Sequence, residues 1–252
     1  MKNLQKLLFL TLLLAGLCLP AFAGLDPADL LRDMEKVMRG DSHEMAVTMQ
    51  IKTSSWMRNY KFHVWMQGVD KTFARVLAPA KVEGQGYLRL DTRLWNFIPT
   101  AERTILIPPS MMLDRFMGSD FSNDDFEKMS YLPRDYDASI QGRELIGENE
   151  VYHLILTPKK DAPVTYGKLK LLLRITDSAP VRMEFYNEQL EPIRTLHYSD
   201  FKNFKGHELP SVWKMEDIRD RTRETTITIQ EAEFNQKISD KIFTQENLKK
   251  YP

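Results

Sequence analysis

GQGYLRLDTRLWNFIPTAERTILIPPSMMLDRFMGSDFSNDDFEKMSY, residues 84–131, is the stretch that decides how this 252-residue chain folds. Its first half holds three short strands. Residues 86–90 are separated from 94–98 by Asp91-Thr92-Arg93, and Pro99-Thr100-Ala101 leads into 102–107. The second strand sets Trp95 and Phe97 on one face and Leu94, Asn96 and Ile98 on the other, the period-two pattern of a half-buried strand. Pro108-Pro109 ends the third, because proline has no N–H to give to a ladder. The character then changes. Residues 110–117 are methionine-rich and predict a short helical turn, with Ser110 as its N-cap and Gly118 as the residue that stops it. Ser122-Asn123-Asp124-Asp125 has the form of a capping box opening a second short helix. A sheet edge that delivers a soft apolar helix is a way to cover an apolar cavity.

Upstream, residues 44–52 place Met45, Val47, Met49 and Ile51 on one face of a strand. After Thr53-Ser54-Ser55, residues 57–67 alternate Tyr60, Phe62, Val64 and Met66 with Lys61, His63, Trp65 and Gln67. Residues 70–77 make another strand, closed by Ala78-Pro79. Downstream, strands are predicted at 137–146, 151–157, 168–176, 181–186, 193–198, 209–218 and 225–234, with turn residues between them. This cadence, about a dozen short strands, predicts a mainly β protein built as an antiparallel meander. The one helix of several turns starts at Asp26-Pro27-Ala28-Asp29, with Asp26 as N-cap and Pro27 in the first helical position. Leu30, Leu31, Met34, Val37 and Met38 form its apolar stripe, and Gly40 ends it.

Lys2, Lys6, the apolar run 7–19 and Ala21-Phe22-Ala23 make residues 1–23 a secretory leader, with cleavage after Ala23. The apolar run is shorter than the ~20 residues that a membrane span needs. Leu17 stands where a lipoprotein signal needs a small residue before Cys18. Residues 24–252 then form a single domain without cysteine, which excludes disulfides, thiol nucleophiles and cysteine-held zinc. Thirty-five basic and thirty-five acidic side chains leave no positive excess for nucleic acid or an anionic membrane surface.

The sequence carries no pattern of catalytic or metal-binding residues. His43, His63, His153, His197 and His207 show no ligand spacing, and each reads as an exposed or half-buried strand residue. Asp114, Asp120, Asp124 and Asp125 lack the register of a calcium loop, and helix capping accounts for them. Gly84-Gln85-Gly86 precedes a strand, not a helix, so it is no phosphate loop. Ser119 sits in nothing like a nucleophile elbow. The chain is read as a non-enzyme without metal or cofactor.

The methionines say more. Met34, Met38, Met45, Met49, Met57, Met66, Met111, Met112, Met117 and Met129 all lie before residue 130. Flexible, polarizable side chains suit a surface that accepts ligands of variable shape, but they also fill gaps in ordinary cores. Residue spacing leaves both readings open, as it does for Trp95, Phe97, Tyr60 and Phe62.

Leu94-Trp95-Asn96-Phe97-Ile98-Pro99, Arg103 ahead of Ile105, and Gly118-Ser119-Asp120-Phe121-Ser122-Asn123-Asp124-Asp125 resemble the LolA-like outer-membrane lipoprotein-sorting proteins. The branch found beside RND-type exporters is the nearest in pattern, and the resemblance extends more weakly over most of residues 24–252. It implies an unclosed antiparallel β-barrel whose concave face is covered by the N-terminal helix and short central helices. It also implies a periplasmic carrier of lipid or lipoprotein acyl chains toward the outer membrane. Its partners would be an inner-membrane RND-type or ABC-type exporter and an outer-membrane acceptor. An RseB-like lipid sensor, or an accessory subunit of an RND exporter, is the alternative on the same fold. The cavity would be lined by Met45, Val47, Met49, Tyr60, Phe62, Val64, Leu88, Trp95 and Phe97. Met111, Met112, Phe116 and Met117 would form a lid whose opening exposes it.

Overall fold

The computed structural model describes residues 24–128 and 132–250. The expected leader, residues 1–23, and Met129 lie outside the described residues. Thirteen strands form one antiparallel sheet: β1 (Ser42–Lys52), β2 (Met57–Gln67), β3 (Lys71–Ala78), β4 (Gly86–Leu90), β5 (Arg93–Ile98), β6 (Arg103–Leu106), β7 (Tyr136–Ile146), β8 (Asn149–Pro158), β9 (Lys168–Arg174), β10 (Pro180–Tyr186), β11 (Pro192–Phe204), β12 (His207–Asp217) and β13 (Glu224–Phe234). Every strand expected from the alternation is there, and the sheet curls into a barrel that does not close. Its spatial order is β6-β5-β4-β3-β2-β1-β13-β12-β11-β10-β9-β8-β7.

The first and last strands therefore pair in the middle of the sheet, with Val47 opposite Ile229 and Met49 opposite Ile227. A consequence follows from chain connectivity. β6 and β7 are consecutive in sequence yet occupy the two free edges, so residues 107–135 must travel from one edge to the other. Its described residues Phe116 and Phe121 lie on the concave side.

Helix α1 (Pro27–Arg39) begins as its sequence demands: the Asp26 side chain accepts from the Ala28 N–H at 2.8 Å, and Gly40 (φ +57°) ends it. It buries Leu30, Leu31, Met34 and Met38 over the half of the sheet formed by β7–β12, against Leu154, Leu171, Met183, Leu196 and Met215. Fully burying side chains of this size stabilises by about 1.5–3 kcal/mol each. A second apolar cluster holds the other half together through Met49, Ile51, Tyr60, Phe62, Ala74, Val76, Tyr87, Leu94 and Phe116.

Two expectations are corrected. Residues 110–117 are not a helix. Tight 3-10 turns at Pro109–Met111 and Phe116–Gly118 flank a turn and a single bridge, Arg115 to Ser122, because the backbone groups there bond across to residues 121–124 instead of along a helix. Asp124 N–H donates to Met112 O at 2.8 Å, Asn123 N–H to Asp114 O at 3.1 Å, and Phe116 N–H to Phe121 O at 2.8 Å. Met117 (φ +51°) and Gly118 (φ +80°), both left-handed, make the reversal of this clasp. The capping box does open a helix, α2 (Asn123–Lys128): Ser122 N–H donates to Asp125 Oδ2 and Asp125 N–H to Ser122 Oγ. The short α3 (Leu132–Asp135) follows it.

The second correction concerns strand faces. Leu88, Trp95 and Phe97 point to the convex side, where they pack with Phe73, Ile238, Phe243 and Leu248. The C-terminal segment, with its short helix α4 (Gln245–Lys249), lies on that face and is tied down by Arg75, which donates to the carbonyls of Asn247 and Leu248. Gly86 permits the approach, since a Cβ there would meet Leu248 Cδ1 at 2.7 Å.

Candidate functional site

The alternation of β1 and β2 aims Met45, Val47 and Met49, and Phe62, Val64 and Met66, at the concave side. They form one wall of a cavity of about 200 Å³. Thr72 and Ala74 of β3, Met183 of β10, Tyr198 of β11, Trp213 of β12, and Ile227 and Ile229 of β13 continue the wall. Met34 and Met38 of α1 roof it, with Glu35 and Arg39 beside them, and Phe116 and Phe121 of the crossing segment close another side. The lining is almost wholly apolar. Such a lining can hold hydrocarbon. Among the described residues no three of His, Cys, Asp or Glu gather so as to hold a metal ion.

Met45, Val47, Met49, Phe62, Val64 and Phe116, singled out from the sequence, meet at this cavity. Tyr60 stands next to it, its ring 6.2 Å from that of Phe62. Met117 is half-buried against the same cluster. Met111 is 43% exposed and Met112 faces a separate polar groove, so neither covers the cavity. Leu88, Trp95 and Phe97 are on the other side of the sheet. Sequence reasoning missed Phe121, Met183, Tyr198, Trp213, Ile227 and Ile229. The alternation of β12 and β13 marks Trp213, Ile227 and Ile229 as one-faced, but only the β1–β13 pairing says which cavity they share.

The crossing segment is pinned by buried charge. Asp120, which caps no helix, accepts from Arg115 at 2.6 Å, from Arg223, and from the Thr225 hydroxyl at 2.7 Å. Asp125 accepts from Arg194 at 2.8 and 3.2 Å and from the Tyr166 hydroxyl at 2.6 Å. Arg194 also donates to the Asp120 carbonyl at 2.7 Å. Arg115 belongs to the segment itself, but Arg194 of β11, Thr225 of β13, Arg223 just before it and Tyr166 just before β9 fasten the clasp to the far half of the sheet. Phe116 is fastened to the near half, its ring 4.7 Å from Tyr87 and 6.3 Å from Phe62. The aspartates expected as helix caps thus anchor the cover as well.

Three polar groups at the cavity titrate abnormally. Burial pushes the Glu35 carboxyl up to about 7, with Arg39 pulling the other way. Burial pushes His43 down to about 4. His43 is not the exposed or half-buried strand residue expected: it is enclosed at the end of α1, its Nδ1 is 3.0 Å from the Arg39 carbonyl, and its ring lies 5.8 Å from Phe234. Burial also raises the Tyr198 phenol.

A family model described as an uncharacterized-protein family matches residues 68–250. The chain belongs to that family. No curated protein matches it in sequence. Solved structures supply the fold. A DUF1329 family protein from Desulfovibrio piger superposes with a TM-score of 0.81 at 23% identity, over 88% of this chain and 99% of the other. A LolA superfamily protein from Nitrosomonas europaea gives 0.75 at 23% identity, over 88% and 99%. A domain described as that of an outer membrane lipoprotein-sorting protein from Vibrio parahaemolyticus gives 0.79 at 17% identity, over 89% and 98%. The fold is LolA-like. Each partner is covered almost end to end, so the likeness takes in the helix, the sheet and the crossing segment together.

Proposed function

We propose that this protein is a non-catalytic carrier that binds the acyl chains of lipid or lipoprotein in its apolar cavity and ferries them through the periplasm toward the outer membrane. The observation that carries the reading is the apolar cavity itself, walled by Met45, Val47, Met49, Phe62 and Val64 and roofed by Met34 and Met38. Thioether side chains adapt to a flexible chain at little cost in strain. Burial of order ten methylenes at ~0.8 kcal/mol each gives about 8 kcal/mol, which corresponds to micromolar binding with no specific polar contact. The cavity's 200 Å³ falls below the ~300–1,000 Å³ of common ligand sites. Loading a long chain must therefore widen it. Phe116 and Phe121 sit on the crossing segment, the side whose displacement leaves the sheet's hydrogen bonds intact. The leader at residues 1–23 supports export, with Gly24 as the N-terminus of the mature protein.

Saturable binding of a dansylated fatty acid tests this. The mature protein should bind it, and Met49→Glu should weaken binding at least tenfold, because an ionised group in an apolar cavity opposes an acyl chain. No saturable binding by the folded parent would overturn the carrier reading.

A further inference from the structure

One atom of the cavity wall is out of keeping with the rest. Glu35 is half-buried on α1, and its Oε1 is shut off from solvent without a hydrogen-bond partner among the described residues. Arg39 draws on it through space, but no neighbouring group among the described residues donates a hydrogen bond to this oxygen. Arg39, one turn along the helix, is buried and directs Nη2 to the Gly68 carbonyl. His43 from β1 is turned to the Arg39 carbonyl. His207 from β12 is engaged with the Val37 carbonyl, at 2.5 Å from its Nε2. Asp125, at the cavity's other side, is taken by Arg194 and Tyr166. On the flank of α1 turned toward α3 and β7, Asp135 is paired with Arg134, and Tyr136 directs its hydroxyl to the Tyr166 carbonyl at 3.4 Å. An acceptor enclosed beside hydrocarbon is costly to leave unmatched. Because Oε1 is shut off from solvent, it comes within reach of a ligand only through the widening that a long chain requires.

We infer that Glu35 is the polar contact for the ligand's head group, and that the preferred ligand carries a hydrogen-bond donor, a hydroxyl or an ammonium, where its acyl or alkyl chain ends. This rests on the carrier reading and narrows it. Chains ending in an acylated glycerol or an amine fit such a site. A free fatty acid still buries its chain but fits the head-group position less well once Glu35 is ionised, because two carboxylates then meet. With Glu35 ionised, a simple ester, which accepts but cannot donate, does not fit; below about pH 7 the neutral carboxyl can itself donate and that distinction fades.

Four ligands of one chain length separate the cases at about pH 8.5, where Glu35 is ionised: 1-monolauroylglycerol, dodecylamine, methyl laurate and laurate, each measured by displacement of a dansylated fatty acid from the mature protein. The parent should hold monolauroylglycerol roughly tenfold more tightly than methyl laurate, the value of one buried hydrogen bond to a carboxyl group. Glu35→Met keeps an apolar helix former of similar length, and should bring that ratio to about one without weakening methyl laurate. Glu35→Gln keeps an acceptor without the charge. It should preserve the preference for monolauroylglycerol, and a loss confined to dodecylamine would mark the ammonium as the natural donor. Equal affinities for monolauroylglycerol and methyl laurate in the parent, or the same ratio in Glu35→Met, would overturn the inference and leave the carrier reading standing. Failure of all four ligands to displace the probe would overturn both.

Discussion

Val47→Phe distinguishes a ligand cavity from a packed core by the sign of its effect. Val47 lies on β1 between Phe62 of β2 and Ile229 of β13, and all three line the cavity. The change adds four carbon atoms beside about 200 Å³ of open volume. At ~0.8 kcal/mol per buried carbon the ceiling is about 3 kcal/mol, and an imperfect ring fit leaves roughly 1–2 kcal/mol of added stability. For a protein of this size each kcal/mol moves Tm by about 2–4 °C, so a rise of about 3–6 °C is expected. Phenylalanine is as good a strand residue as valine, so the backbone adds no penalty of its own. The same substitution in a filled core would cost about 1–3 kcal/mol by overpacking. Filling the cavity should also cut dansyl-fatty-acid affinity at least tenfold. Thermal melts followed by circular dichroism, run beside the fluorescence titration, give both answers. A fall in Tm with unchanged binding would refute the reasoning.

Arg223 holds Asp120 and the Gly118 carbonyl, so Arg223→Gln should raise hydrogen exchange across residues 116–121 and speed ligand release several-fold in stopped-flow chase. Unchanged exchange would show that the clasp does not depend on it. Leu248→Ala removes a fully buried side chain from the convex face, and should cost about 2–4 kcal/mol in urea melts while leaving acyl-chain affinity within twofold. Glu35 contributes stability that is complete below about 4.5 and lost as pH rises through about 7, whereas His43 contributes stability that is complete above about 6.5 and lost as pH falls through about 4. Glu35→Gln should therefore gain on the parent between pH 4.5 and 7 in urea melts, by about 1–2 kcal/mol once solvent screening at this half-buried group is counted.

The strands were legible because each carries its own period-two pattern, and α1 because Asp26-Pro27 and Gly40 bracket one apolar stripe. The pairing of β1 with β13 was not. It joins residues almost two hundred positions apart, and no local pattern encodes it. The faces of β4 and β5 misled for a related reason: Tyr87 and Leu94 turn inward while Leu88, Trp95 and Phe97 turn outward, and both sets are apolar. Only the C-terminal residues Ile238, Phe243 and Leu248 explain why an outward face is greasy. In the crossing segment the methionine-rich run suggested a helix, but the chain spends those backbone groups on a clasp to residues 121–124. The signal that mattered there was the row of aspartates, whose partners Arg194 and Arg223 lie far downstream.

Photocrosslinking tests the central claim most directly. A fatty acid with a diazirine midway along its chain would be bound to the mature protein, activated, and mapped by peptide mass spectrometry. Labels should concentrate on residues 45–49, on 62–66 and on Met34 and Met38 of α1, and unlabelled lipid should compete them away. Labels on residues 86–97 and 238–248, or labelling that competitor leaves unchanged, would contradict an acyl-chain site on the concave face.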